Sequence, residues 1–173
     1  LARAQEQLPA TSQMAMYGLA PLDDLTDADH VAALEAAAKA FEEVAATAPG
    51  ISSAEAWLHA GNTWDRLGKD DLALAAFQAA YDADRGSVYN FSAGNRLAML
   101  HRKAGEDDKA GELYRELATD LDGFLGEQAL LDLMDHAIRT GKPEDVQRLA
   151  AEFKARYSES PRLDLVAALE ERS

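Results

Sequence analysis

Residues 54–84 read AEAWLHAGNTWDRLGKDDLALAAFQAAYDAD, and their spacing decides the fold. Trp57, Gly61 and Trp64 recur at three- and four-residue intervals, which places them on one stripe of an α-helix. Just upstream, Ser52-Ser53-Ala54-Glu55 has the form of a capping box that opens this helix. Gly68 is its stop, because glycine enters the left-handed conformation of a helix C-terminus without a Cβ penalty. A second helix is predicted over 70–84, with Ala73, Phe77 and Ala80 on its apolar stripe.

The same pattern extends outward. A helix over 29–48 carries Leu34, Ala37, Phe41, Val44 and Ala48, and Ser87 is the expected cap of a helix running through Leu97 and Leu100 to Gly105. Helices follow over 106–121, with Ala110, Leu113, Tyr114 and Leu117, and over 124–140, with Leu130, Leu133, Ala137 and Ile138. Pro143 suits the first turn of a helix over 144–157 that bears Val146, Leu149 and Phe153, and Ser160-Pro161 is expected to open a terminal helix with Leu163, Val166 and Leu169. Junction glycines recur at Gly68, Gly105 and Gly141, and Ala60-Gly61-Asn62 recurs as Ala93-Gly94-Asn95. No strand-like alternation occurs anywhere. The expectation is an all-α chain of about four antiparallel helix pairs over 29–161, with residues 162–173 completing a capping helix. Residues 1–28 are left as an arm or a further helix.

Composition agrees. Of 173 residues 36 are alanine, the best helix former, while aromatics make up only 7%. The balance of 31 Asp and Glu against 17 Lys and Arg gives a net charge of −14, which argues against binding to nucleic acid or an anionic membrane surface. Cysteine is absent, so disulfides and thiol chemistry are excluded. No apolar run is long enough to span a membrane. The chain starts at Leu1 and not at Met, which leaves open a tag, signal or anchor removed upstream.

Residues 54–84 resemble one tetratricopeptide repeat, through Trp57, Ala60-Gly61, Trp64, Gly68, Ala73, Phe77 and Ala80. The preceding Ala37, Phe41, Val44 and Pro49 resemble the second helix of another repeat, and Asn90, Gly94, Gly105, Ala110 and Tyr114 resemble the following one with an extra helical turn. Gly141, Leu149, Phe153 and Pro161 resemble the last pair. The resemblance implies a right-handed α-solenoid in which small Gly61 and Ala73 lie at the closest approach of paired helices. Residues 153–161, FKARYSESP, are similar to the closing segment of bacterial cell-envelope repeat proteins, which slightly favours a periplasmic or envelope-anchored setting over the cytoplasm.

A catalytic set is not evident. Asp132 and His136 share a helical face with Asp135 beside them, and they are expected to form a solvated ion pair, since no second helix offers a metal-ligand complement. Nucleophile elbows and phosphate-binding glycine loops are missing. The reading is therefore a non-enzymatic module without cofactor or metal. What the resemblance implies instead is a concave groove lined by the first helix of each pair. In one repeat this places Glu55, Leu58, Asn62 and Asp65 in the groove with Arg66 beside them; in the next, Val88, Phe91, Asn95 and Ala98, with Met99 and Arg102 alongside. Asn62 and Asn95 take the place of a peptide-contacting asparagine in the family, but Leu58 and Phe91 stand where its carboxylate-clamping lysine would be. A peptide or helix of a protein partner is expected there. The alternative is an oligomeric scaffold that associates with itself. Circular dichroism is expected to show a helical spectrum, and a clear sheet component would remove the assignment.

Overall fold

The computed structural model describes residues 28–173, so the arm or helix expected over 1–28 lies, apart from Ala28, outside the described residues. Every regular element described is an α-helix, in the order α1 Ala28–Thr47, α2 Gly50–Arg66, α3 Asp70–Ala83, α4 Val88–Lys103, α5 Asp107–Asp120, α6 Gly123–Arg139, α7 Pro143–Arg156 and α8 Leu163–Glu171. The chain divides into two compact units, one ending at Ala93 and the other beginning at Gly94, inside α4.

Three junctions close in the same way. After α2 the amide of Gly68 donates to Asp65 O at 2.9 Å and that of Lys69 to Trp64 O at 2.9 Å. After α4, Gly105 donates to Arg102 O and Glu106 to His101 O; after α6, Gly141 donates to Ile138 O and Lys142 to Ala137 O. Each is the paired-bond motif that satisfies the last carbonyls of a helix, and it requires a left-handed residue. The three glycines have φ of 68, 77 and 66°. The recurrence seen in sequence is thus a recurrence of backbone geometry.

In the first unit α2 packs on both α1 and α3. Leu34, Phe41, Ala60, Trp64, Ala73 and Phe77 are all buried there, each large side chain contributing roughly 1.5–3 kcal/mol of transfer free energy. At Gly61 a Cβ would stand 2.5 Å from Cδ1 of Phe77, so the ring of α3 fills the space a side chain on α2 would occupy. Trp64 Nε1 donates to Glu42 at 2.7 Å, which satisfies its one polar group while the ring stays buried. Trp57 is only half-buried.

Two expected caps are corrected. The helix that Ser52 and Ser53 were to open already begins at Gly50 after Pro49. Ser53 Oγ instead donates 2.8 Å to Ala45 O on α1, because a buried hydroxyl close to a neighbouring helix end serves that end's orphan carbonyls. Likewise, Ser160-Pro161 precedes α8 by a turn: Ser160 Oγ accepts from the Arg162 amide at 3.1 Å and donates to Glu127 at 2.9 Å, and the helix starts at Leu163. Two other expected caps match: Asn90 N donates to Ser87 Oγ at 3.1 Å, and Pro143 is the first residue of α7. Asn90 itself is fully buried and donates from Nδ2 to Tyr81 O at 2.7 Å, tying the α3–α4 turn.

The second unit packs α5 on α6, α6 on α7, and α8 on both α6 and α7. Leu97, Tyr114, Leu130, Met134, Val146, Phe153 and Val166 are among its buried side chains. Arg156 holds the end of α5 from α7: Nη1 donates to Ala118 O at 2.8 Å and Nη2 to Leu121 O at 3.1 Å.

Gly61→Leu is expected to overpack α2 against α3 by roughly 1–3 kcal/mol or more, and Phe77→Ala to cost about 3–5 kcal/mol through the cavity left behind. Since the two groups compete for one space, the double variant should lose less than the sum of the singles in urea unfolding. Strict additivity would show that the contact is not what constrains position 61.

Candidate functional site

Among the predicted groove residues of the first unit, Leu58, Asn62 and Asp65 follow one another at helical spacing on α2, and all three are half-buried, as is Arg66. Within the described residues no hydrogen bond engages the Asn62 amide, which keeps both donors and its acceptor available. Glu55, one turn before Leu58, lies 4.0 Å from His59 and acts on the Tyr89 hydroxyl. Burial and then Glu55 raise the phenol's pKa. His59 stacks on Phe41 with ring centroids 5.2 Å apart. Phe91, at the start of α4, is half-buried and Val88 is exposed.

In the second unit the predicted Asn95, Met99 and Arg102 lie on α4. Met99 is 51% exposed. The Asn95 amide acts on the Asp132 carboxylate of α6, and Gln128 Nε2 donates to the same carboxylate at 2.9 Å. Burial raises the Asp132 pKa, and the two amides act against the rise. Arg102 bonds to the hydroxyl of Tyr114. Farther along α6, Arg139 pairs with Asp135 at 2.8 Å. The result is a polar face in which a half-buried carboxylate is framed by amides and flanked by an ion pair. Ala98, expected to line the groove, is instead completely buried, because its small side chain faces the core of the unit.

Sequence reasoning missed the α6 part of this face. Gln128, Asp132, Asp135 and Arg139 follow at intervals of four, three and four, a stripe visible in the sequence once the groove offsets are carried to the helix after Gly123. It also misread His136. The imidazole is 4% exposed and not solvated, and it does not pair with Asp132. Its ring lies against Tyr114 at 5.7 Å, and Nε2 is 3.0 Å from where a Cβ at Gly111 would stand. Glycine in the middle of α5 makes room for it. Nδ1 is sealed from solvent with no hydrogen-bond partner, at a cost on the order of 1–3 kcal/mol.

No group of three or more His, Cys, Asp or Glu among the described residues is placed to hold a metal ion, and no described helix is long and apolar enough to cross a membrane. No family model matches the chain, and neither a curated protein nor a solved structure is significantly similar to it.

Burial lowers the His136 pKa below its ordinary 6.5, and burial does the same at His59. The unfolded chain therefore takes up these protons first, so the stability tied to the neutral rings is complete above about pH 6.5 and is lost as pH falls through and below that value. Asp132 has the opposite sign at lower pH: its folded pKa is raised above 3.8, so its protonation favours the fold. The urea midpoint should hold steady between about pH 8 and 7 and fall toward pH 5, with a shallower fall in His136→Leu. Parallel declines in the two proteins would show that His136 does not carry the dependence.

Proposed function

We propose that this chain is a non-enzymatic protein-interaction module of the tetratricopeptide type, which binds a peptide or helix of a protein partner along the faces of its repeat helices. In this reading the helices form about four antiparallel hairpins of a right-handed α-solenoid, closed by α8. The three identical glycine closures after α2, α4 and α6 support it. So does the fit of Phe77 against Gly61, the place where the family pattern demands a small residue.

The observation that carries the functional reading is the state of the two asparagines. Asn62 is half-buried on α2 and its side-chain amide has no hydrogen bond among the described residues, and Asn95, at the equivalent register position, is half-buried beside Asp132. An accessible amide supplies donor and acceptor together, which matches the backbone of a bound peptide. Leu58 and Met99 add apolar contact area beside them. Net charge −14 favours a basic or neutral partner and disfavours nucleic acid. The second reading, a scaffold that associates with itself, draws on the exposed Val88, Met99 and Phe124.

Peptides selected on the wild-type protein from a random display library provide the test. Asn62→Ala with Asn95→Ala should weaken them by about one to two orders of magnitude, the loss of roughly 1–3 kcal/mol of hydrogen bonding. Asn62→Ala alone should leave the melting temperature unchanged. Peptides that bind the double variant as tightly as the wild type would overturn the groove assignment, and a concentration-dependent oligomer in sedimentation that excludes peptide would favour the scaffold.

A further inference from the structure

The core leaves one side of α6 uncovered, and Phe124, Gln128, Asp132 and Asp135 follow one another along it at helical spacing. Phe124 is 67% exposed and is the only exposed aromatic side chain among the described residues. The guanidinium of Arg162, just before α8, covers one face of its ring at 4.2 Å from the centroid. The same guanidinium donates from Nη1 to the Gln128 carbonyl oxygen at 3.1 Å. With its oxygen so engaged, Gln128 turns its amide nitrogen to Asp132 and donates to Oδ1 at 2.9 Å. Ring and carboxylate are thereby held in a fixed relation, eight residues or about 12 Å apart along the helix.

The carboxylate itself is the second observation. Asp132 is half-buried, yet among the described residues no cation lies at ion-pair distance from it. Arg139 pairs with Asp135 at 2.8 Å and reaches Asp132 only through a longer-range field, and Arg162 is turned to Gln128 and Glu127. Gln128 and Asn95 are the donors that act on the group, whereas a carboxylate has room for about four. A charge withdrawn from water without a counterion is costly, and a cation brought by a partner removes that cost. Met99, one turn beyond Asn95 on α4, adds an exposed apolar side chain to the same unit.

We infer that this side of α6 receives an extended segment of a partner protein, which sets a lysine or arginine on the Asp132 carboxylate and an apolar side chain on the open face of Phe124. The inference rests on the reading of the chain as an interaction module and adds the chemistry of the partner. An extended chain advances about 3.3 Å per residue and returns to the same face every second residue, so the two side chains stand four positions apart in the partner. The sign follows from charge complementarity: a basic segment is drawn to a chain of net charge −14, and an acidic one would meet Asp132 and Asp135 together.

The probes are two capped heptapeptides of serine that carry one leucine and one lysine four positions apart, in the two possible orders. They are titrated into the full chain and followed by amide chemical shifts, which are expected at residues 95–99 and 124–135 for at least one order. Uncharged norleucine in place of the lysine should weaken binding at least about ten-fold, and Asp132→Asn should do the same. Phe124→Ser should weaken it several-fold at an unchanged melting temperature, because that side chain is exposed, so it tests the site independently of any effect of Asp132→Asn on the fold. No shifts with either peptide at tens of millimolar, equal binding of the norleucine peptide, or binding indifferent to both substitutions would overturn the inference. Library-selected peptides that need Asn62 but carry no basic residue and bind Asp132→Asn like the wild type would also overturn it while leaving the interaction module standing. Conversely, lysine-dependent binding at Asp132 that persists in Asn62→Ala, together with library peptides indifferent to Asn62, would remove the Asn62 groove and keep the site on α6.

Discussion

An aromatic or imidazole residue stands where a glycine side chain would be at three contacts, with its ring at two of them and its hydroxyl at the third, and much of the packing depends on that substitution of one segment's side chain for another's Cβ. Phe77 fills the space at Gly61, His136 that at Gly111, and the Tyr157 hydroxyl that at Gly126, where the Leu121 carbonyl also closes in. Each glycine lies inside a helix, where it costs roughly 0.5–1 kcal/mol against alanine. Phe77, completely buried at its contact, recovers that several times over, since a ring closely packed on backbone gains both transfer and dispersion energy. With a fifth of the chain alanine, bulk is scarce, so the few large side chains must be inserted deeply to make a core at all.

The charges act mostly at the margins. Lys69 reaches Glu35 at 2.6 Å, and Lys154 reaches Glu170 at 2.6 Å, each linking segments well apart in the chain, yet solvent screens such exposed pairs and they add little to stability. Arg156 is different in kind. Its two nitrogens satisfy the carbonyls of Ala118 and Leu121, which the end of α5 leaves without intrahelical partners, while Asp122 and Glu152 hold the guanidinium from the sides. That arrangement joins α7 to the α5–α6 turn through backbone groups, so it survives changes of neighbouring side chains.

Polar groups withdrawn from water are the features that packing alone does not require. Asp132 keeps a carboxylate in partly buried surroundings with Gln128 as its donor, and His136 keeps a nitrogen with no partner. An apolar side chain of similar size at either position would spare the desolvation cost. Both lie on α6, Asp132 toward Asn95 and His136 against Tyr114 and Gly111 of α5.

Helix positions were legible in the sequence to within two residues almost throughout, because glycine and proline act on backbone dihedrals locally and Gly68, Gly105, Gly141 and Pro143 need no partner to do so. The apolar stripes were legible for the same reason: which residues share a face follows from the helical repeat alone. Hydroxyl caps were less so, since a serine oxygen takes whichever backbone group comes near, and for Ser53 that was Ala45, on the preceding helix. On the candidate face, Asn62 and Asn95 were placed by repeat register, but the partnership of Asn95 with Asp132 depends on how α4 and α6 approach. Nor could composition or spacing show that His136 is buried: its environment is set by a glycine on another helix, 25 positions earlier in the chain, and only packing brings that gap to the ring. Local dihedral preference thus determined where each helix runs, and tertiary contact decided which of its polar atoms are left facing solvent, a neighbour or nothing.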